Sequence, residues 1–84
     1  MNVKQLITLL KTCDQNALVI LAKDEEGNGF SPLAGVDDTA NYVSDSTYAG
    51  EIGLRELTPE LIEQGYGEDD VVGGVKAVVL WPTN

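Results

Sequence analysis

The stretch from Ala17 to Phe30, ALVILAKDEEGNGF, constrains this chain more than any other. It passes without a break from the most apolar run of the first half to the tightest cluster of carboxylates and glycines. Four large aliphatic residues in succession, Leu18 to Leu21, are too few for an independent helix and are bounded by turn-forming residues. The run therefore predicts a strand buried on both faces. The segment Asp24-Glu25-Glu26-Gly27-Asn28-Gly29 predicts an exposed turn with Gly27 or Gly29 at positive φ. Val75 to Trp81 is apolar on both faces in the same way and predicts a second central strand, stopped by Pro82.

The remaining segments are arranged around these two runs. Asn2 predicts a helix cap with Gln5 three residues on, and Val3, Leu6, Ile7 and Leu10 then fall on one face of a helix from about Val3 to Thr12. Phe30, Leu33 and Val36 suggest a hairpin partner over Gly29 to Val36, with Pro32 marking it as irregular or an edge. Asp37 to Thr47 is polar, with Tyr42 and Val43 as apolar islands, and reads as a loop with a short strand or an exposed hairpin arm. Tyr48 to Leu57 alternates like a half-buried strand. Thr58 as cap, Pro59 at the first helical position, a Leu57–Ile62 staple and Gly65 as terminator define a short second helix. Gly65 to Gly74 predicts a second acidic, glycine-rich loop. Long parallel crossovers are scarce. The expected class is α+β: a small mixed or mainly antiparallel sheet of three to five strands, an N-terminal helix on one face and a second short helix.

Eighty-four residues predict a single globular domain, 1–84, with room for one core and modest stability, so a dimer interface would matter. Fourteen acidic against five basic residues give a net charge of −9. That charge disfavours direct binding to nucleic acid or anionic lipid and favours partners with basic surfaces. The lone Cys13 permits no internal disulfide, and the expected compartment is a reducing cytoplasm. The apolar N-terminal stretch is interrupted by Gln5, Thr8 and Lys11 and reads as a helix, not a signal peptide. No apolar run approaches the ~20 residues that span a bilayer.

No catalytic constellation emerges. Histidine is absent, which removes the usual general base and triad partner, and Cys13 lies where a helix ends, as a small, partly buried side chain. The expectation is a non-enzymatic protein without a cofactor. Asp24, Glu26, Asn28 and Gly29 match positions one, three, five and six of a calcium loop. The twelfth position is Gly35, however, and a strand stands where the preceding helix belongs, so a hairpin turn explains the residues better. Gly65-Tyr66-Gly67 opens like a phosphate loop but is followed by Glu68, Asp69 and Asp70, the wrong charge for an anion site.

What remains is the charge pattern. The candidate protein-binding residues are the acidic clusters Asp24, Glu25 and Glu26, then Asp37 and Asp38, then Glu68, Asp69 and Asp70. Tyr42, Tyr48 and Tyr66, in or beside polar loops, are candidate interface anchors. Carboxylates gathered on one edge could also imitate the phosphates of DNA and block a nucleic-acid-binding protein. Sequestration of calcium or a small ligand is the other alternative.

The opening Val-Lys-Gln-Leu-Ile-Thr-Leu-Leu, the Ala-Leu-Val-Ile-Leu-Ala run, the Asp-Glu-Glu-Gly-Asn-Gly-Phe-Ser-Pro-Leu turn and the closing Ala-Val-Val-Leu-Trp-Pro together resemble short, uncharacterised accessory proteins of tailed bacteriophages. The resemblance covers roughly half of the chain and rests on texture. It implies an accessory protein in the cytoplasm of an infected bacterium, where it binds and inhibits or redirects a host protein such as a defence factor. It transfers no functional residue.

Overall fold

The computed structural model describes residues 1–84. In chain order it contains α1 (Val3–Leu10), β1 (Ile20–Ala22), β2 (Phe30–Ser44), β3 (Gly50–Leu54), α2 (Pro59–Glu63), a single 3-10 turn (Glu68–Asp70) and β4 (Val75–Pro82). Four strands form one antiparallel open sheet, and the class is α+β as the sequence predicts. No helix is long and apolar enough to cross a membrane. The chain divides into two compact units: unit 1 comprises Met1–Gly35 and Leu80–Asn84, and unit 2 comprises Val36–Val79. Both β2 and β4 contribute residues to each unit.

In unit 1, α1 begins with the expected capping box. The Gln5 amide donates to Asn2 Oδ1 at 2.9 Å, and the Asn2 amide donates to Gln5 Oε1 at 2.8 Å, which satisfies two backbone donors that a helix start leaves open. β1 pairs antiparallel with β2, Ile20 opposite Pro32 and Ala22 opposite Phe30. The hairpin closes through Lys23 N–H to the Gly29 carbonyl at 2.9 Å, with Gly27 at φ +75 in the turn. Beyond the C-terminal end of β4, the Thr83 amide donates to the Pro32 carbonyl at 3.0 Å.

The apolar run 18–21 does not become the buried central strand that its composition suggests. Only Ile20–Ala22 is extended in register, β1 stands at one end of the strand order, and Leu18 is 74% exposed. β4 pairs with β2 alone and is likewise not a central strand. The central strand is β2, fifteen residues long and paired with all three others. It incorporates the polar segment expected as a loop, and it carries Pro32, which therefore marks no edge. The physical reason is that a ladder uses backbone groups common to every residue. A polar segment can take the central place when its length reaches several partners. Cys13, expected partly buried, is exposed.

Unit 2 is held by β3, which pairs antiparallel with Ala40–Ser44 of β2, and by a parallel bridge between Leu54 and Val71. Ala40 is its one buried apolar residue. Arg55 follows β3 directly and spans two strands with one side chain: Nε donates to the Ala40 carbonyl and Nη2 to the Ala77 carbonyl, each at 2.9 Å. Charge-assisted donors on carbonyls are among the stronger hydrogen bonds, and the planar fork lets one residue tie β2 to β4. α2 starts on Thr58, whose hydroxyl accepts the Leu61 amide. It ends in a Schellman motif with Gly65 at φ +101, Gly65 N–H on the Ile62 carbonyl and Tyr66 N–H on the Leu61 carbonyl.

Replacing Arg55 by Met is expected to destabilise the protein by about 2–4 kcal/mol, since two carbonyl acceptors lose a charged donor. Arg55→Lys should recover only part of this, because an ammonium lacks the two-pronged geometry. Urea unfolding of the three proteins checks both statements.

Candidate functional site

The chain's negative charge is not shared evenly. Unit 1 holds Asp14, Asp24, Glu25 and Glu26 against Lys4, Lys11 and Lys23, a net of −1. Unit 2 holds ten carboxylates against Arg55 and Lys76, a net of −8. Self-repulsion on that scale is tolerated when the groups remain in water, and nearly all of these carboxylates are exposed.

Within unit 2 several of them border one concavity of about 390 Å³. Asp37 comes from β2, Glu51 from β3, and Asp69 and Asp70 from the 3-10 turn; Tyr66, Gly53 and a set of apolar residues that includes Ile52, Leu54 and Val72 line it with them. Each element is placed by features already described. The Leu54–Val71 bridge, continued by Val72 N–H to the Leu54 carbonyl at 3.0 Å, lays the segment after the turn beside β3. Asn41 Nδ2 donates to the Val72 carbonyl at 2.8 Å and ties the same segment to β2. Gly53 makes the approach sterically feasible: a Cβ there would lie 2.7 Å from both Val72 methyls. The Schellman turn at Gly65 delivers Tyr66 to the wall.

The carboxylates are not equivalent. Asp37 Oδ1 accepts the Thr39 hydroxyl at 2.6 Å and the Thr39 amide at 2.8 Å. Those two bonds, the hydroxyl first, hold its pKa below the ordinary aspartate value, and the Arg55 charge adds to the effect. Both bonds run within β2, from Thr39 to the residue two positions before it. Asp70 Oδ2 accepts the Gly67 amide at 2.8 Å, which fixes the 3-10 turn.

The three clusters thus part company. Asp37, Asp69 and Asp70 come together with Glu51, while Asp38 and Glu68 are exposed and lie outside the concavity wall. Asp24, Glu25 and Glu26 belong to unit 1 and serve their own turn. Asp24 Oδ1 accepts the amides of Glu26 and Asn28, and Oδ2 accepts Asn28 Nδ2 at 3.0 Å. The bonds from Asn28, backbone and then side chain, lower the Asp24 pKa most. No group of three acidic or cysteine side chains is arranged to hold a metal ion. Of the tyrosines, Tyr66 lines the concavity, Tyr48 is 91% exposed in the β2–β3 turn, and Tyr42 packs over Gly50, where a Cβ would meet its ring and hydroxyl at 2.6 Å.

Sequence reasoning did not single out Glu51 or Arg55. Arg55 carried a signal, since it is the only cation between Lys23 and Lys76. Glu51 carried none, because its role depends on the pairing of β3 with β2. The fold and the concavity together define a small α+β protein with an acid-lined depression in its more charged unit. Comparison with protein-family models, with curated proteins and with solved structures gives no match.

Asp24 and Asp37 are expected to titrate below the ordinary aspartate value in a carbon-detected NMR pH series. Since their folded pKa values lie below the ordinary 3.8, their bonds contribute full stability above about pH 4 and lose it as pH falls through the lower folded values. Midpoints at or above the ordinary aspartate value would contradict the bonded geometry.

Proposed function

We propose that this protein acts by binding another protein, and that the acid-lined concavity of unit 2 receives lysine or arginine side chains from a basic surface of that partner. The observation supporting this reading most strongly is the convergence of Asp37, Glu51, Asp69 and Asp70 from three separate elements around one depression, in a unit of net charge −8. Complementary charge of this kind accelerates encounter and sets orientation, and an aromatic wall such as Tyr66 can stack on a guanidinium or ammonium. The resemblance to phage accessory proteins suggests a host protein, such as a defence factor, as the partner and the cytoplasm of an infected bacterium as the setting. Where the partner's basic surface is itself a nucleic-acid groove, the same carboxylates would stand in for phosphates.

A second reading has one observation in its favour. A volume of about 390 Å³ falls within the range of small-molecule sites, and the acidic rim would select a small organic cation. The expected chemistry in both readings is binding without turnover.

Titration of the isotope-labelled protein with a lysine- and arginine-rich peptide, followed by amide NMR, tests the proposal. Shifts are expected around Asp37, Glu51, Tyr66 and Asp69, with little response from Asp24 to Glu26. The double substitution Glu51→Gln with Asp69→Asn should weaken binding about tenfold at low salt. Shifts spread evenly over both units, or an unchanged affinity in the double variant, would exclude the concavity as the binding site.

A further inference from the structure

The apolar stripe of α1 is far from covered. Val3, Ile7 and Leu10 are 52%, 48% and 46% exposed, and the helix contributes no buried residue. An eight-residue helix is marginal by itself in water, so a stripe of this kind requires a packing surface to persist. Outside the helix, unit 1 also exposes large apolar side chains, among them Leu18 and Phe30 at 74% and 66%. The accessible surface of the chain is 6907 Å². A monomeric protein of 9.0 kDa typically presents about 4,850 Å². The surplus, roughly 2,000 Å², exceeds the ~800 Å² that each partner contributes to a standard stable interface.

Charge decides between the surfaces and the occupants. Two copies meeting through unit 2 would bring together surfaces of net −8 each; meeting through unit 1, they bring together surfaces of net −1. Three lysines against four carboxylates also give unit 1 no net attraction to an anionic bilayer. Apolar contact between near-neutral faces is the arrangement that a two-fold dimer uses, since the same patch must complement itself. We infer that the apolar face of unit 1, centred on Val3, Ile7 and Leu10 of α1, is the interface with a second copy of this chain. The dimer stabilises α1 by giving its stripe a packing surface, and it does not depend on the carboxylates of unit 2.

Sedimentation equilibrium at tens of micromolar protein is expected to give twice the 9.0 kDa chain mass. Ile7→Glu should return the protein to the single-chain mass under the same conditions. Ile62→Glu, on α2 in unit 2 and 56% exposed before substitution, should remain dimeric. Far-ultraviolet circular dichroism shows whether Ile7→Glu remains folded. If it does not, a nitroxide on the exposed Cys13 of the otherwise unaltered chain decides the matter, with a two-spin dipolar modulation depth expected. A wild-type chain of single mass, with or without binding to phosphatidylglycerol vesicles, overturns the inference. So does a dimer that survives in folded Ile7→Glu, one that is lost in Ile62→Glu, or a one-spin signal from Cys13.

Discussion

The backbone ladder of β2 is the constraint on which the rest of this structure depends. One extended segment of fifteen residues pairs with β1 near its start, with β3 near its end, and with β4. Loss of β2 would remove partners from three strands, whereas loss of β1 would remove three residues of pairing. Few side chains are buried deeply enough to substitute for that ladder: Ala40 and Ser31 are the only two at 4% exposure. The stability of the fold thus rests more on satisfied backbone groups and on the Arg55 fork than on a large apolar core.

The functional reading follows from the same ladder. Because β2 crosses from unit 1 into unit 2, the carboxylate of Asp37 is presented by a paired strand, not by a mobile turn, and Glu51 is presented by the neighbouring strand in register with Val43. The 3-10 turn adds Asp69 and Asp70 through backbone bonds to β3. Side chains carried on paired strands are held with less loss of freedom on binding than side chains on loops. The segregation of charge then gives the two units different surfaces: near-neutral in unit 1, strongly acidic in unit 2.

Much of the local structure was legible in the sequence because its causes are local. Asn2 with Gln5, Thr58 with Pro59, and Gly65 each act within four or five residues, and each does in the structure what its chemistry predicts. The strand hierarchy was not legible. Leu18 to Leu21 has the composition of a central strand yet ends as a short outer one, and Asp37-Asp38-Thr39-Ala40-Asn41 has the composition of a loop yet lies in the middle of the sheet. Composition gives a tendency to burial that Leu18, 74% exposed, does not realise, and the place of a strand is set by pairing across long separations, for which the sequence carries no local signal. The candidate site was legible in part for the same reason: Asp37, Tyr66, Asp69 and Asp70 stand out as charge and aromatic clusters, while Glu51 joins them only through register.

Residue-resolved hydrogen exchange tests the central claim most directly. If β2 is the strand that holds the others, the amides of its polar middle that face a paired neighbour, Asn41 and Tyr42 among them, should exchange only on global unfolding, and Leu18 to Ile20 should exchange through local opening. Slower exchange in the apolar run 18–21 than in residues 40–43 would contradict it.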